Sequence, residues 1–390
     1  MADKVTSAGL KELTARRSRR DGPSAQPSLP NPAWVWLATA AMLAAAALLF
    51  ASGHSFLHDY THDTFIIYDG IHRLAAGQIP HVDFSTPLGV LGYLGPYAGY
   101  LWTGSYGGSV EAGSVLLALL LGPNAAILLA RRAHPLTSIL FLFAILCLCV
   151  VPLNTGEDGN AVTAAMHYNR WGWAILTVLG LALISPLQAR RFDAISQGLM
   201  AGVLLLALAF LKLSYFAVGL GVPALMLIYG GARLRAALLA LLVIPAGGLI
   251  VWLLWPALLP AYATDLRMAI AASGVLAPRI DFILVDNIKD IALVVTAFAV
   301  AALTRRADPR DGLLLVFLIS GGVLILAQNF QSLVMPLFLV GFVYADRHIA
   351  RQADAGLGAR LIGLGLMAVF LSTPSIRLDK GRAALHAIAV

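Results

Sequence analysis

Residues 34–51 read WVWLATAAMLAAAALLFA, an uncharged run of eighteen residues. At about 1.5 Å per residue, such a run crosses most of the roughly 30 Å of hydrocarbon in a bilayer, and it predicts a membrane-spanning helix. Similar blocks of roughly 17–22 residues recur along the chain. They lift the hydrophobic fraction to 59% and the mean hydropathy to +0.81, beyond the range of soluble domains. The predicted fold is all-α, a polytopic transmembrane helical bundle of eleven or twelve spans. A barrel would show short alternating segments instead.

The spans fall near 34–52, 110–130, 136–153, 171–187, 194–211, 213–229, 236–256, 288–304, 311–327, 332–345 and 359–373. Residues 1–32 are basic and then rich in proline, and read as a disordered cytoplasmic tail. That tail is too long for the charged region of a cleaved signal peptide, so 34–51 reads as an uncleaved first helix. Residues 33–373 form the transmembrane domain, and 374–390 are a short C-terminal tail.

With the tail inside, alternation places Arg131, Arg132, Arg190, Arg191, Arg233, Arg235, Arg305, Arg306, Arg310, Arg347, Arg351 and Arg360 on one cytoplasmic side. The net charge of +7 is therefore a topology signal, and no nucleic-acid partner is expected. Cys147 and Cys149, two apart in an apolar block, read as core residues. One segment resists assignment. Residues 87–103 (PLGVLGYLGPYAGYLWT) are apolar, yet a crossing there inverts every later loop. Four glycines and Pro96 also fit an embedded, broken helix.

The opposite side collects the polar residues. A first outer loop, 54–86, holds Asp59, Asp63, Asp69, Asp83 and five histidines in a chain that is only 12% charged. Within it, Ile67, Ile71 and Leu74 lie at i, i+4 and i+7, one apolar stripe of an interfacial helix with Asp63 at its N-cap and Gly77 as its stop. The plain reading of the carboxylates is structural: Asp63 caps, Asp69 is solvated, and Asp83 caps a turn.

A second outer loop, 154–170, carries Glu157 and Asp158 among glycines. They either coordinate a divalent cation such as magnesium or manganese, or form a solvated turn. His167, Tyr168, Asn169 and Arg170 follow, residue types suited to a phosphate or a sugar hydroxyl. Lys212 interrupts two apolar runs, either to meet a phosphate or to snorkel at the boundary. Gln328, with Asn329 and Gln331, adds amides for sugar hydroxyls at a later outer end. Walker, dinucleotide, zinc-peptidase and nucleophile-elbow motifs are all absent.

The first loop resembles the GT-C superfamily of integral-membrane glycosyltransferases. The resemblance rests on Asp63, Tyr68, Arg73, Ala75, Gly77, Ile79, Pro80, Asp83 and Phe84, following a first span. It covers about 25 residues, and beyond them it is architectural. His81 stands where the family pattern has tyrosine, and Thr64 follows Asp63 where a glutamate is frequent.

The resemblance implies an enzyme of the bacterial inner membrane that takes a sugar from a polyprenyl-phosphate or polyprenyl-diphosphate donor. Asp63 would be the catalytic base, and Glu157 with Asp158 a second acidic motif. Arg170 and Lys212 would hold the leaving phosphate. Asp83, His167, Asn169 and Gln328 complete the expected substrate contacts. Displacement at an anomeric carbon needs a base for the acceptor and a cation for the leaving group, which this set supplies. A transporter or flippase of lipid-linked saccharides, and a non-catalytic envelope-assembly protein, are the competing readings.

Overall fold

A computed structural model of the chain describes residues 33–51, 60–154, 163–186, 192–272, 280–304, 309–328, 334–350 and 357–372. Every regular element among them is helical. In order these are α1 Ala33–Ala51, α2 Thr61–Ala75, α3 Leu91–Thr103, α4 Ser109–Leu129, α5 Pro135–Val150, α6 His167–Gly180 and α7 Asp193–Leu211. There follow α8 Leu213–Gly219, α9 Gly221–Tyr229, α10 Ala232–Leu254, α11 Leu258–Ala272, α12 Ile280–Asp286, α13 Ile288–Thr304, α14 Pro309–Gln328, α15 Phe338–Ala350 and α16 Leu357–Ser372.

The chain is all-α, as its composition predicts, and the helices sit on the apolar blocks. Helices α4, α7, α10 and α14 are each long and apolar enough to cross a membrane, and shorter apolar helices span Ala33–Leu48, Pro135–Val150, Leu213–Tyr229 and Leu361–Leu371. Three expected spans differ, the first being 171–187, where α6 begins at His167 and gives way after Gly180 to a 3₁₀ turn, Leu181–Leu183. The run 213–229 breaks at Leu220 into two helices, and 334–337 form a turn that delays α15 to Phe338, whose N–H bonds to Met335 O at 2.9 Å.

Two ends of the bundle follow from the helix directions. Helix α4 runs from Glu111 to the Arg131–Arg132 corner. Helix α7 returns from Asp193, whose carboxylate takes both Arg131 guanidinium nitrogens, to Lys212. At the arginine end, Arg132 donates to Ile184 O at 2.7 Å, Arg233 to Ser185 Oγ at 3.0 Å and Arg347 to Pro186 O at 3.0 Å. Asp346 accepts from His134 N at 2.9 Å, and Tyr229 donates to Arg310 O at 3.1 Å. The alternation of charge thus brings these arginines together at one end. Arg190, Arg191, Arg305, Arg306 and Arg351 lie outside the described residues.

Helix α3 resolves the ambiguous segment 87–103. Just ahead of it, Gly89 N–H bonds to Leu211 O at 3.1 Å, and its Gly92 O accepts from His167 Nε2 at 3.0 Å. Near its close, Trp102 packs on Phe50 of α1 at 5.0 Å between centroids. Thr39 of α1 lies beside Gly122 in the arginine half of α4, so Phe50 belongs to the other end. Both ends of α3 therefore meet the same end of the bundle, and it does not traverse it.

Small residues permit this seat. A Cβ on Gly99 would lie 1.9 Å from Ser109 O, and one on Gly113 would lie 2.7 Å from Gly95 O. Spaced four apart on both helices, these residues let α3 and α4 touch backbone to backbone.

Candidate functional site

The site is built at the end opposite the arginines. Helix α2 supplies the first part. Its stripe faces the protein: Ile67 (2% exposed) and Ile71 (0%) pack with Leu88, Tyr93, Val110 and Ala164. Ring contact is close enough that a side chain at Gly70 would collide with Tyr93. The cap differs from the expected one. Tyr60, in the left-handed region at φ 55°, is the N-cap, so Asp63 lies within the first turn. A carboxylate there still meets the positive end of the helix dipole. The Asp63 side chain keeps 32% exposure and has His62 Nε2 at 3.3 Å. Helix α2 stops at Ala75, with Gly77 at φ 83°, where a side chain would be strained.

The loop after α2 is tied down by a residue that sequence reading missed. Asp83 is exposed, and its Oδ2 accepts Ile79 N–H at 2.7 Å, closing a local turn. His81 is held at φ 70°, with its N–H on Phe84 O at 2.8 Å. Its buried ring reaches α11, where Asp265 Oδ2 accepts from His81 Nδ1 at 2.8 Å and from Thr86 N at 2.9 Å.

Burial alone would raise the Asp265 carboxyl. The bonds from Thr86 N–H, His81 and Ser85 outweigh it and leave the group below its usual range. Burial lowers His81 despite the carboxylate beside it. A neutral imidazole thus donates to an ionised carboxylate. Tyr262, also on α11, lies 4.6 Å from the His81 ring and donates to Ala209 O at 2.6 Å. The signal was present in the sequence: Asp265 is the first charged residue after Arg235.

The start of α6 supplies the next group. His167 is fully buried and joined to Gly92 O, and burial pulls its imidazole down to about 3, so it is a neutral donor. Arg170 is 3% exposed. Its Nη1 reaches Asn154 Oδ1, Thr163 O and Ala165 O, each at 3.3 Å, and so clamps the two sides of the second loop. Asn169 Oδ1 accepts from Lys212 Nζ at 2.8 Å. Lys212 sits at the α7–α8 break, 5.2 Å above the Tyr168 ring, and burial draws its ammonium down to about 8.

Tyr168 is where these parts meet. Burial, with the negative charge of Asp63, pushes its phenol up to about 12. Asp63 of α2 therefore acts on the ring that carries the Lys212 cation on its face. Lys212 is held by Asn169 and the Tyr168 ring, Asp63 lies within electrostatic reach of that ring, and Arg170 clamps the adjoining loop. Gln328, at the end of α14 away from the arginines, is exposed.

Glu157 and Asp158 lie outside the described residues, as do His54, His58, Asp59, Asn329 and Gln331. Among the described residues, no group of three His, Cys, Asp or Glu side chains is arranged to hold a metal ion. Glu111 is a second residue that sequence reading passed over. It is the one charged residue between Asp83 and Arg131, and its charge acts on Tyr68 of α2, whose phenol burial and Glu111 together raise to about 12. No family model matches the chain, and it matches no curated protein and no solved structure.

Proposed function

We propose that this chain is a multi-pass glycosyltransferase of the GT-C kind. In this reading, eleven spans cross the inner membrane of a bacterium with the N-terminus in the cytoplasm, and the site end faces outward. The enzyme takes a sugar from a polyprenyl-phosphate or polyprenyl-diphosphate donor and passes it to an envelope acceptor. One observation supports this best: a partly exposed carboxylate, Asp63, and a cation, Lys212, act on the same ring, Tyr168.

The chemistry is a single displacement. Asp63 takes the proton of the acceptor hydroxyl as that oxygen bonds to the anomeric carbon, and the bond from that carbon to the phosphate oxygen breaks. Lys212, aligned by Asn169, meets the charge that develops on the phosphate. Arg170 and His167 hold the second loop and α3 in register, acting on the site through others. A transporter would expose a polar path along the spans. Here the charged groups collect at the two ends, which favours the enzyme.

Mass spectrometry of lipid-linked glycans from cells with and without the gene tests the proposal. Deletion should leave a polyprenyl-linked sugar accumulated and a glycosylated product missing. Movement of the intact lipid-linked saccharide across vesicles, with no covalent product, would replace the enzyme with a flippase.

A further inference from the structure

Three consecutive residues at the arginine end are each held by a different guanidinium. Arg132 Nε donates to Ile184 O at 2.7 Å, Arg233 Nε to Ser185 Oγ at 3.0 Å and Arg347 Nη2 to Pro186 O at 3.0 Å. These arginines come from the α4–α5 corner, the first turn of α10 and the last turn of α15, so distant parts of the chain bring like charges together. Carbonyl and hydroxyl dipoles orient a guanidinium but neutralise no net charge. A fourth arginine, Arg131, takes the Asp193 carboxylate through both oxygens.

Arg132 carries the imbalance. It is 2% exposed, and its Nη2 has no hydrogen-bond partner among the described residues. Burial and the charge of Arg131 draw its guanidinium down to about 9; Asp193 offsets part of this and Arg233 adds to it. The carboxylate that acts on Arg132 is thus one that Arg131 already holds. A buried cation short of counter-charge is costly, and an anion beside it relieves the cost.

The place of the cluster in the fold points to the kind of anion. Helices α4, α7 and α10 are each long and apolar enough to cross a membrane, and the cluster lies where α4 ends and α7 and α10 begin. The ends of spanning helices lie at the level of the lipid headgroups, where phosphate is abundant. Arg131, Ser185 and Arg233 are half-buried, so a headgroup reaches the cluster from their side.

We infer that Arg132 and Arg233, flanked by Arg131, hold the phosphate of an anionic phospholipid at the arginine end, a site separate from the one around Asp63. A planar guanidinium offers paired donors to phosphate oxygens and suits this task better than an ammonium. The bound lipid supplies the missing counter-charge and braces the α4–α5 corner against α10. The inference is independent of sugar transfer.

The test is native mass spectrometry of the full chain in detergent, titrated with phosphatidylglycerol. Phosphatidylcholine, whose phosphate is balanced by its own cation, is the control, and inorganic phosphate is the competitor. Phosphatidylglycerol should bind about tenfold more tightly than phosphatidylcholine, and an excess of inorganic phosphate should leave it in place. Arg233→Gln should weaken phosphatidylglycerol binding about tenfold, the loss of a charged hydrogen bond. Arg235→Gln removes an exposed charge two residues on and should change binding by about twofold or less.

Equal binding of the two lipids overturns the inference, and so does an equal loss in the two variants. Displacement of the lipid by inorganic phosphate would assign the cluster to a soluble anion and overturn it as well. If Arg233→Gln does not fold, the comparison of the two lipids on the wild-type chain still decides.

Discussion

The two ends of the bundle treat their charges in opposite ways. At the arginine end four guanidiniums are anchored: Arg131 to the Asp193 carboxylate, Arg132 and Arg347 to backbone carbonyls, Arg233 to a serine. These contacts tie corners between helices and leave Arg132 and Arg347 only 2% exposed. At the other end, Asp63 and Asp83 keep exposure, and Lys212 is half-buried over the Tyr168 ring. Paired, buried charge closes a structure. Partly exposed charge of both signs around one ring is what a reaction requires. In the proposed reading, the partly exposed charges at the second end are the ones free for chemistry.

The largest expected loss comes from separating α3 from α4. Gly99→Leu drives a side chain into Ser109 O and should cost about 3 kcal/mol or more. Thermal unfolding in detergent would show it, and a melting curve like that of the wild type would refute the seat proposed for α3. Next is Asp265→Ala, which strips the acceptor from His81 and Thr86 N–H and should cost about 2 kcal/mol.

The pH dependence of that contribution has a definite sign. The folded Asp265 carboxyl is held below its usual value, so its stabilisation is present at neutral pH and fades as pH falls through the folded value. Asp265→Ala should therefore lose part of the acid-side slope in a plot of melting temperature against pH. An unchanged slope would mean that Asp265 does not tie α11 to the loop.

How far the sequence reveals this contrast depends on the range of each interaction. Apolar length and arginine placement are local, and they gave the helices and the arginine end. Helix α3 stayed ambiguous because its apolar composition serves a crossing and an embedded helix equally. Only its contacts with Leu211, His167 and Phe50 decide between them. Asp265 is not legible because its partner His81 is 184 residues away, and it falls between two expected spans, 236–256 and 288–304. Asp63 was legible as a first-turn carboxylate, while the Tyr60 cap depends on a backbone conformation that composition does not encode. Arg170 looked like a phosphate ligand by residue type, and burial makes it a clamp.

Smaller effects sharpen the comparison further. Lys212→Met should weaken binding of a polyprenyl-phosphate donor on the order of tenfold, the equivalent of one charged hydrogen bond. In the wild type, affinity should fall as pH rises through about 8, because the protonated form holds the phosphate and burial has lowered its pKa to that point. Isothermal titration across pH would reveal this limb, and the variant should lack it. Arg131→Ala, at the opposite end, should cost about 1 kcal/mol or less and leave sugar transfer per folded molecule unchanged. Loss of transfer in that variant would erase the division between the ends.

The most direct measurement is sugar transfer by Asp63→Asn in purified, folded protein. The substitution keeps size and polarity and removes the base. Transfer should fall by about 10²–10⁴-fold while donor binding through Lys212 persists. Full transfer by a folded Asp63→Asn chain would contradict the account.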